Sequence, residues 1–461
     1  MKNSRKILIS LLALLLVVVT AVTFAACSKE GGESGEQKLE KKNPVSQYKA
    51  KGEWPEVKDP LSWEDINAIP IKTSDMSIDD ARQLCVNFFR YAKTAVWIPD
   101  DNFSYWHMKK DHDENNPHTL NQYAGQLYAG VPYIYVASGN IYRLMDFMDQ
   151  EKGVVDVSEV SRNPHLYGNQ CSIGSYWGWA RAINSAKYDW TQNMVESKGY
   201  PRVGDYEYEL NTPAWSDGYR TTTIVEENGR DKMFECYAQL KKGDGIVYYT
   251  TAGHVVMIAS DAHVEYDVHG KIDGALSYVT VIDQTPGWAE GSNEAGDVYQ
   301  YEKNVDAKWN FNTLFERYVP FTYKEWLGED PIEQTEVTLT IGGTQIKGVI
   351  TEDEAREFKS EDAAPDTLTK TQLYSTKASC NYGLSDIYCM VYDAVGNEVF
   401  KTVTRAGEAG IMELKFSKTP GNSYTWGALD ELPKGSYTAK IVLQIGTGER
   451  PVLWEGKFVN E

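Results

Sequence analysis

Cysteine is scarce in this chain, six residues in 461, and no two of them stand as C-x-x-C. That excludes the common zinc-ribbon and thioredoxin-type motifs, and so few thiols cannot supply the disulfide framework of a small secreted scaffold. Basic residues are also in deficit: 46 Lys and Arg face 66 Asp and Glu, for a formal net charge of −20. Nucleic-acid affinity rests on cations that neutralise phosphate, so no nucleic-acid partner is expected. Long apolar runs are missing after residue 26, where nothing reaches the about 18 residues a membrane-spanning helix needs. Neither a metal nor a cofactor is expected. The stretch Lys109-Lys110-Asp111-His112-Asp113-Glu114-Asn115-Asn116 lacks the glycine and spacing of a calcium loop and reads as a solvated loop. No internal repeat stands out.

The N-terminus is built as a targeting segment. Lys2, Arg5 and Lys6 precede an apolar run from Ile7 to Phe24, followed by Phe24-Ala25-Ala26-Cys27. Small residues before a cysteine at the end of such a run resemble a bacterial lipobox, with Phe24 where Leu is most often found. The resemblance implies a signal peptide over residues 1–26 and lipidation of Cys27; the alternatives are an ordinary cleaved signal or an uncleaved anchor. Loss of Lys2, Arg5 and Lys6, with no acid removed, takes the net charge from −20 to about −23. Residues 27–58 are rich in Gly, Ser, Glu and Lys, the composition of a flexible tether. The expected location is the outer face of the bacterial cytoplasmic membrane, extracellular and lipid-anchored.

Two folded regions are expected beyond the tether, 59–331 and 332–461. In the first, Ser77 with Asp80 makes a capping pattern, and Ile78, Ala81, Leu84, Cys85, Phe88, Phe89 and Ala92 recur at helical spacing. Further helices are expected over Leu120 to Leu127, over Ile141 to Met148, and from Cys171 to about Ala186. The texture then turns to β, with strands at Gly245–Thr250, His254–Ser260 and Tyr278–Asp283, an α+β order. The second region holds short alternating runs at Val337–Ile341, Ile387–Tyr392, Val399–Thr404, Met412–Phe416, Tyr437–Ile445 and Val452–Phe458, with a hairpin turn at Asp393 to Asn397. That spacing predicts an all-β sandwich of immunoglobulin or fibronectin type.

Cys171 is the leading candidate for chemistry. It follows Tyr167-Gly168-Asn169-Gln170 and opens the aromatic-rich run Ser172-Ile173-Gly174-Ser175-Tyr176-Trp177-Gly178-Trp179. A thiol at a helix N-terminus is favoured as thiolate by the aligned peptide dipoles, and a nearby imidazolium favours it further. His254 opens a strand after a glycine turn, and Asp283 ends the next strand, where a carboxylate can orient the imidazole. Each residue alone has a bland reading: a small buried thiol, a hydrogen-bonded ring, a turn aspartate. The Cys-His-Asp order joins them. Cys85 falls on an apolar stripe, and Cys380 and Cys389 could face each other across a hairpin.

Gly130-Val131-Pro132-Tyr133, Cys171-Ser172, Gly243-Asp244 and His254-Val255 together resemble the NlpC/P60 family of bacterial cell-wall cysteine peptidases, over roughly residues 77 to 290. The resemblance implies a papain-like fold and catalytic Cys171, His254 and Asp283. It also implies an oxyanion side lined by Tyr133, with Gln170 as an alternative donor beside the Cys171 backbone N–H. The implied substrate is a peptidoglycan stem peptide, or else a surface polypeptide. The chain departs from the family pattern at Gln170, Ile173, Tyr135 and Ala137-Ser138-Gly139, and carries insertions before Cys171 and between His254 and Asp283. Asp283-Gln284-Thr285-Pro286 also resembles transglutaminase-like cysteine enzymes, which act on protein. A third reading is a surface or wall-binding lipoprotein without activity. Aromatic residues Tyr206, Tyr208, Trp215 and Tyr219 are expected in a loop over the cleft, and Tyr176, Trp177 and Trp179 in a groove or the core.

Overall fold

A computed structural model describes residues 57, 60–106, 119–122, 124–134, 138–157, 168–196, 199–208, 220–250, 252–285, 304–416, 425–426 and 432–461. The signal segment, Cys27, the tether except Val57, and the Lys109 to Asn116 stretch lie outside the described residues. No helix among the described residues is long and apolar enough to cross a membrane.

Helix α1 (Ile78–Thr94) forms where the apolar spacing predicts it. Ser77 Oγ accepts from the Asp80 N–H at 3.1 Å, and Asp79 and Asp80 set negative charge against the positive helix end. Ala81, Leu84, Cys85, Phe88, Phe89 and Ala92 are buried. Each phenylalanine contributes roughly 1.5–3 kcal/mol over an exposed position. The helix expected at Leu120 to Leu127 is absent: Thr119–Gln122 is a strand paired with Phe103–Trp106, and Gly125 sits at φ 77°, which a helix cannot use. Helix α2 (Ile141–Asp146) is shorter than its spacing suggests.

Helix α3 (Cys171–Trp179) also stops early, at Ala180, after which Arg181 turns inward to the carbonyls of Ile69 and Pro70 at 3.0 and 2.8 Å. All nine of its residues are buried, so Tyr176, Trp177 and Trp179 are core and line no groove. Gly174 and Gly178 allow its close approach. A Cβ at Gly174 would lie 2.9 Å from Gln284 Cγ, and one at Gly178 would lie 2.7 Å from Met257 Cε and 2.9 Å from Phe89 Cβ.

Behind α3 stands an antiparallel sheet of β1 (Gly245–Tyr249), β2 (Gly253–Ile258), β3 (Tyr278–Ile282), β4 (Val305–Asn310) and β5 (Val319–Phe321), in the order β4-β3-β2-β1-β5. The first three match the predicted strands. Gly243-Asp244, one anchor of the family resemblance, is a structural joint. The Gly243 carbonyl accepts from the indoles of Trp179 and Trp326 at 2.9 and 3.0 Å. Asp244 is buried and pairs with Arg82 at 2.8 Å, tying α1 to the sheet.

The expected architecture, a papain-like α+β domain followed by an immunoglobulin or fibronectin sandwich, is corrected. Strand residues outnumber helical ones among the described residues, and the strands fall into five sheets of four, five, five, six and two strands. The N-terminal region carries its own four-stranded sheet, in which Val96–Pro99 pairs parallel with Val154–Val155. In the C-terminal region, Glu336–Ile341, Thr344–Ile350, Phe358–Lys359, Lys377–Cys380 and Glu413–Lys415 share one sheet; Thr367–Thr369, Leu384–Tyr392, Glu398–Arg405, Thr425–Trp426, Gly435–Ile445 and Val452–Asn460 share another. A parallel pairing of Thr367–Thr369 with Val452–Asn460, and a helix at Lys370–Tyr374 between strands, depart from the antiparallel immunoglobulin plan. The hairpin at Asp393 is present, with the Asp393 N–H donating to Asn397 O at 2.9 Å.

Buried apolar residues form two large clusters, one drawn from Leu61 to Ile332 plus Ala409, the other from Val337 to Phe458. A buried polar seam joins them. Arg143 of α2 reaches Asp386 Oδ1 at 3.2 Å and donates to the carbonyls of Ser138, Ser385 and Ala406 at 2.8–3.0 Å. Arg405 bridges Asp386 and Asp146 at 3.2 and 2.9 Å, and Tyr388 donates to Asp146 at 2.9 Å.

Candidate functional site

Cys171 is the first residue of α3. Gln170 caps the helix in an extended conformation, and its carbonyl accepts from the Gly174 N–H at 2.8 Å. The N–H groups of the first helical turn have no intrahelical acceptor and face the sulfur's end of the helix with partial positive charge.

His254 lies at the start of β2, and its Nε2 is 2.7 Å from Asp283 Oδ1. Asp283 is fixed in turn by its own N–H, which donates to Asn304 O at 2.7 Å. The Cys171 sulfur is near enough to act electrostatically on the His254 ring. Burial works against charge on the ring. The Asp283 carboxylate and the Cys171 sulfur outweigh it and hold the His254 pKa well above the ordinary imidazole value. Sequence positions 171, 254 and 283 are thus brought into one cluster of thiol, imidazole and carboxylate.

Tyr133 and Gln170 are placed close by. Tyr133 is buried and its backbone bridges Asn169, two residues before Cys171. Gln170 is buried too, but its Nε2 donates to Tyr188 Oη at 3.1 Å, so that amide is already engaged. Tyr206 is buried, donates to Pro320 O at 3.0 Å and stacks on Tyr208; Trp215 and Tyr219 lie outside the described residues.

A second tier was missed from the sequence. Lys93, buried at the end of α1, donates to Gln284 Oε1 and faces the Asp283 carboxylate. Gln284 Nε2 donates toward the carbonyls of Val131, Pro132 and Asn169 at 3.2–3.3 Å, knitting together the two loops that lead to Tyr133 and Cys171. The signals were present: Gln284 directly follows Asp283, and Lys93 is a charge four residues after Phe89 on an apolar stripe. On the outer side, Tyr248 pairs in register with His254 and its ring centroid lies 6.0 Å away. Tyr318 meets Tyr248 edge-on at 5.1 Å, and Trp309 meets Tyr318 at 5.4 Å. Trp190 is 53% exposed and packs beside Tyr188, giving the Gln170 side of the site an aromatic rim.

Among the described residues, no group of His, Cys, Asp and Glu is arranged to hold a metal ion. Cys85, Cys171, Cys236, Cys380 and Cys389 are free and buried, so Cys380 and Cys389 are not joined.

No protein-family profile matches this chain, and no curated protein does. Two solved structures show faint similarity. The extracellular domain of the hybrid two component system BT4673 from B. thetaiotaomicron aligns at 8% identity and TM-score 0.13, covering 48% of this chain and 29% of that one. The extracellular domain described as a one component system BT4673 from the same organism aligns at 9% identity and TM-score 0.12, with the same coverage. The chain thus spans less than a third of those proteins' length.

Proposed function

We propose that the protein is a cysteine hydrolase that opens amide bonds, with Cys171 as nucleophile, His254 as proton carrier and Asp283 as the group that orients the ring. The observation that carries this reading is the contiguous chain from Cys171 at a helix N-terminus, through His254, to Asp283 at 2.7 Å. The sulfur attacks the amide carbonyl, and the developing oxyanion is received by the backbone N–H of Cys171. His254 passes its proton to the departing amine, and water then releases the acyl group from sulfur while His254 takes up a proton again. The proposed substrate is a peptide of the cell wall, reached by a protein tethered through a lipid on Cys27 at the outer membrane face.

The test incubates the chain from residue 28 onward, as wild type and as Cys171→Ala, with peptidoglycan fragments, and reads products by mass spectrometry. Cleavage lost in Cys171→Ala supports the hydrolase and names the bond. Asp283→Asn is expected to lower turnover by about 10²–10⁴ while leaving the fold intact, because the carboxylate fixes the tautomer. Incorporation of an added amine in place of water would redirect the reading to acyl transfer on protein. No product from either chain would overturn catalysis in favour of a binding role.

A further inference from the structure

Arg317 stands on the His254 side of the site, one residue before Tyr318. Its guanidinium carbon lies 4.3 Å over the Tyr248 ring and 5.7 Å from the Tyr318 ring. It is exposed, and among the described residues it makes no ion pair and no side-chain hydrogen bond. A guanidinium stacked on two rings loses little freedom when it binds, and its planar fork of donors matches a carboxylate. The two rings fix its place: Tyr318 is buried, and Tyr248 is held in register with His254. In a chain with a net charge of −20, a cation held beside the site with no acidic partner among the described residues is a conspicuous exception.

We infer that Arg317 anchors a carboxylate carried by the amine half of the substrate. The inference rests on the cysteine chemistry proposed above. His254 protonates the departing amine, so the side of the site beyond its ring, where Tyr248 and Arg317 lie, receives that half. Steps of 6.0 Å from His254 to Tyr248 and 4.3 Å from Tyr248 to Arg317 set the reach. At ~3.3–3.6 Å per extended residue, the carboxylate stands two to three residues beyond the scissile amide. The substrate class is therefore a short peptide or amino-acid amide whose released portion bears a free carboxylate, terminal or side-chain.

The test reads Cys171 alkylation and so needs no identified substrate. N-iodoacetyl derivatives of glycine, β-alanine and 6-aminohexanoate are compared with their carboxamides; the sulfur displaces iodide in each case, and Cys171 labelling is followed by mass spectrometry. In wild type, the rate ratio of carboxylate to carboxamide should rise with the longest reagent. Arg317→Gln should lower that ratio about tenfold, the scale of one charge-assisted hydrogen bond partly exposed to water, and Arg317→Lys should lower it less. Rates with plain iodoacetamide should be equal in the three proteins, which separates binding from damage to the site. An unchanged ratio in Arg317→Gln would overturn the anchor while leaving the nucleophile standing. No labelling of Cys171 by any reagent would overturn the cysteine chemistry, and the anchor with it.

Discussion

Lys93 bears on the electrostatics of the candidate site from behind Asp283 and Gln284. Burial brings its pKa down to about 8 from the ordinary 10.5, with Asp283 acting weakly in the opposite direction. Between those values the unfolded chain binds more protons than the folded one, so the stability of the fold rises with pH across that window; below about 8 the penalty is fully present. Lys93→Met should flatten that rise. Unfolding free energies from urea titrations between pH 8 and 10.5 should rise in the wild type by up to about 3 kcal/mol relative to the mutant. Equal slopes would mean that the ammonium is better solvated than its position implies. At this scale the sequence disclosed residues that the fold brings together, each in a short local setting: Cys171 after Asn169-Gln170, His254 after a glycine turn, Asp283 at a strand end. Lys93 and Arg317 were not among them, since each acts through partners far away in the chain, Gln284 and Tyr248.

Among the elements, α3 depends on its two glycines as much as on its apolar residues. Gly174→Ala should force Gln284 away from the loops it links and cost about 1–3 kcal/mol by overpacking. The iodoacetamide rate of Cys171 should fall with it, whereas a lower melting temperature at an unchanged rate would show that Gln284 does not position the nucleophile. Helix α2 is anchored differently. Arg143→Met strips the fully buried Asp386 of one of its two cations and leaves the carbonyls of Ser138, Ser385 and Ala406 without that donor; a loss of about 3–5 kcal/mol is expected in denaturant unfolding. Periodicity disclosed α1 and the strands β1 to β3 because each buries one face at regular spacing. It failed for Leu120 to Leu127 because one positive-φ glycine outweighs the apolar count.

For the whole molecule, the shift in texture near Pro331 marks a change of core but not a point of independence. The seam from Arg143 to Asp386 and Arg405 borders Ser138, which pairs with Asn169, and Asn169 is two residues from Cys171. Residues 57–331 alone should therefore fail to give a cooperative unfolding transition or a reactive Cys171, even though every candidate catalytic residue lies within them. A folded, alkylatable fragment would refute that dependence. Which strands share a sheet was not legible, because parallel pairing joins segments well separated in the chain, and the ionic seam from Arg143 to Asp386 spans two elements with no shared local pattern. The thiols carry a different consequence. Burial pushes Cys85 and Cys380 up to about 12 and raises Cys236 and Cys389 as well; Cys171 stands apart from them, opening a helix on the His254 side of the core. In a Cys27→Ser chain, one disulfide reagent would then mark time twice: a single prompt equivalent counting competent molecules, and four late ones released only as the body opens. The buried thiols would serve as a stopwatch for unfolding, and the proposed nucleophile as a count of competent molecules.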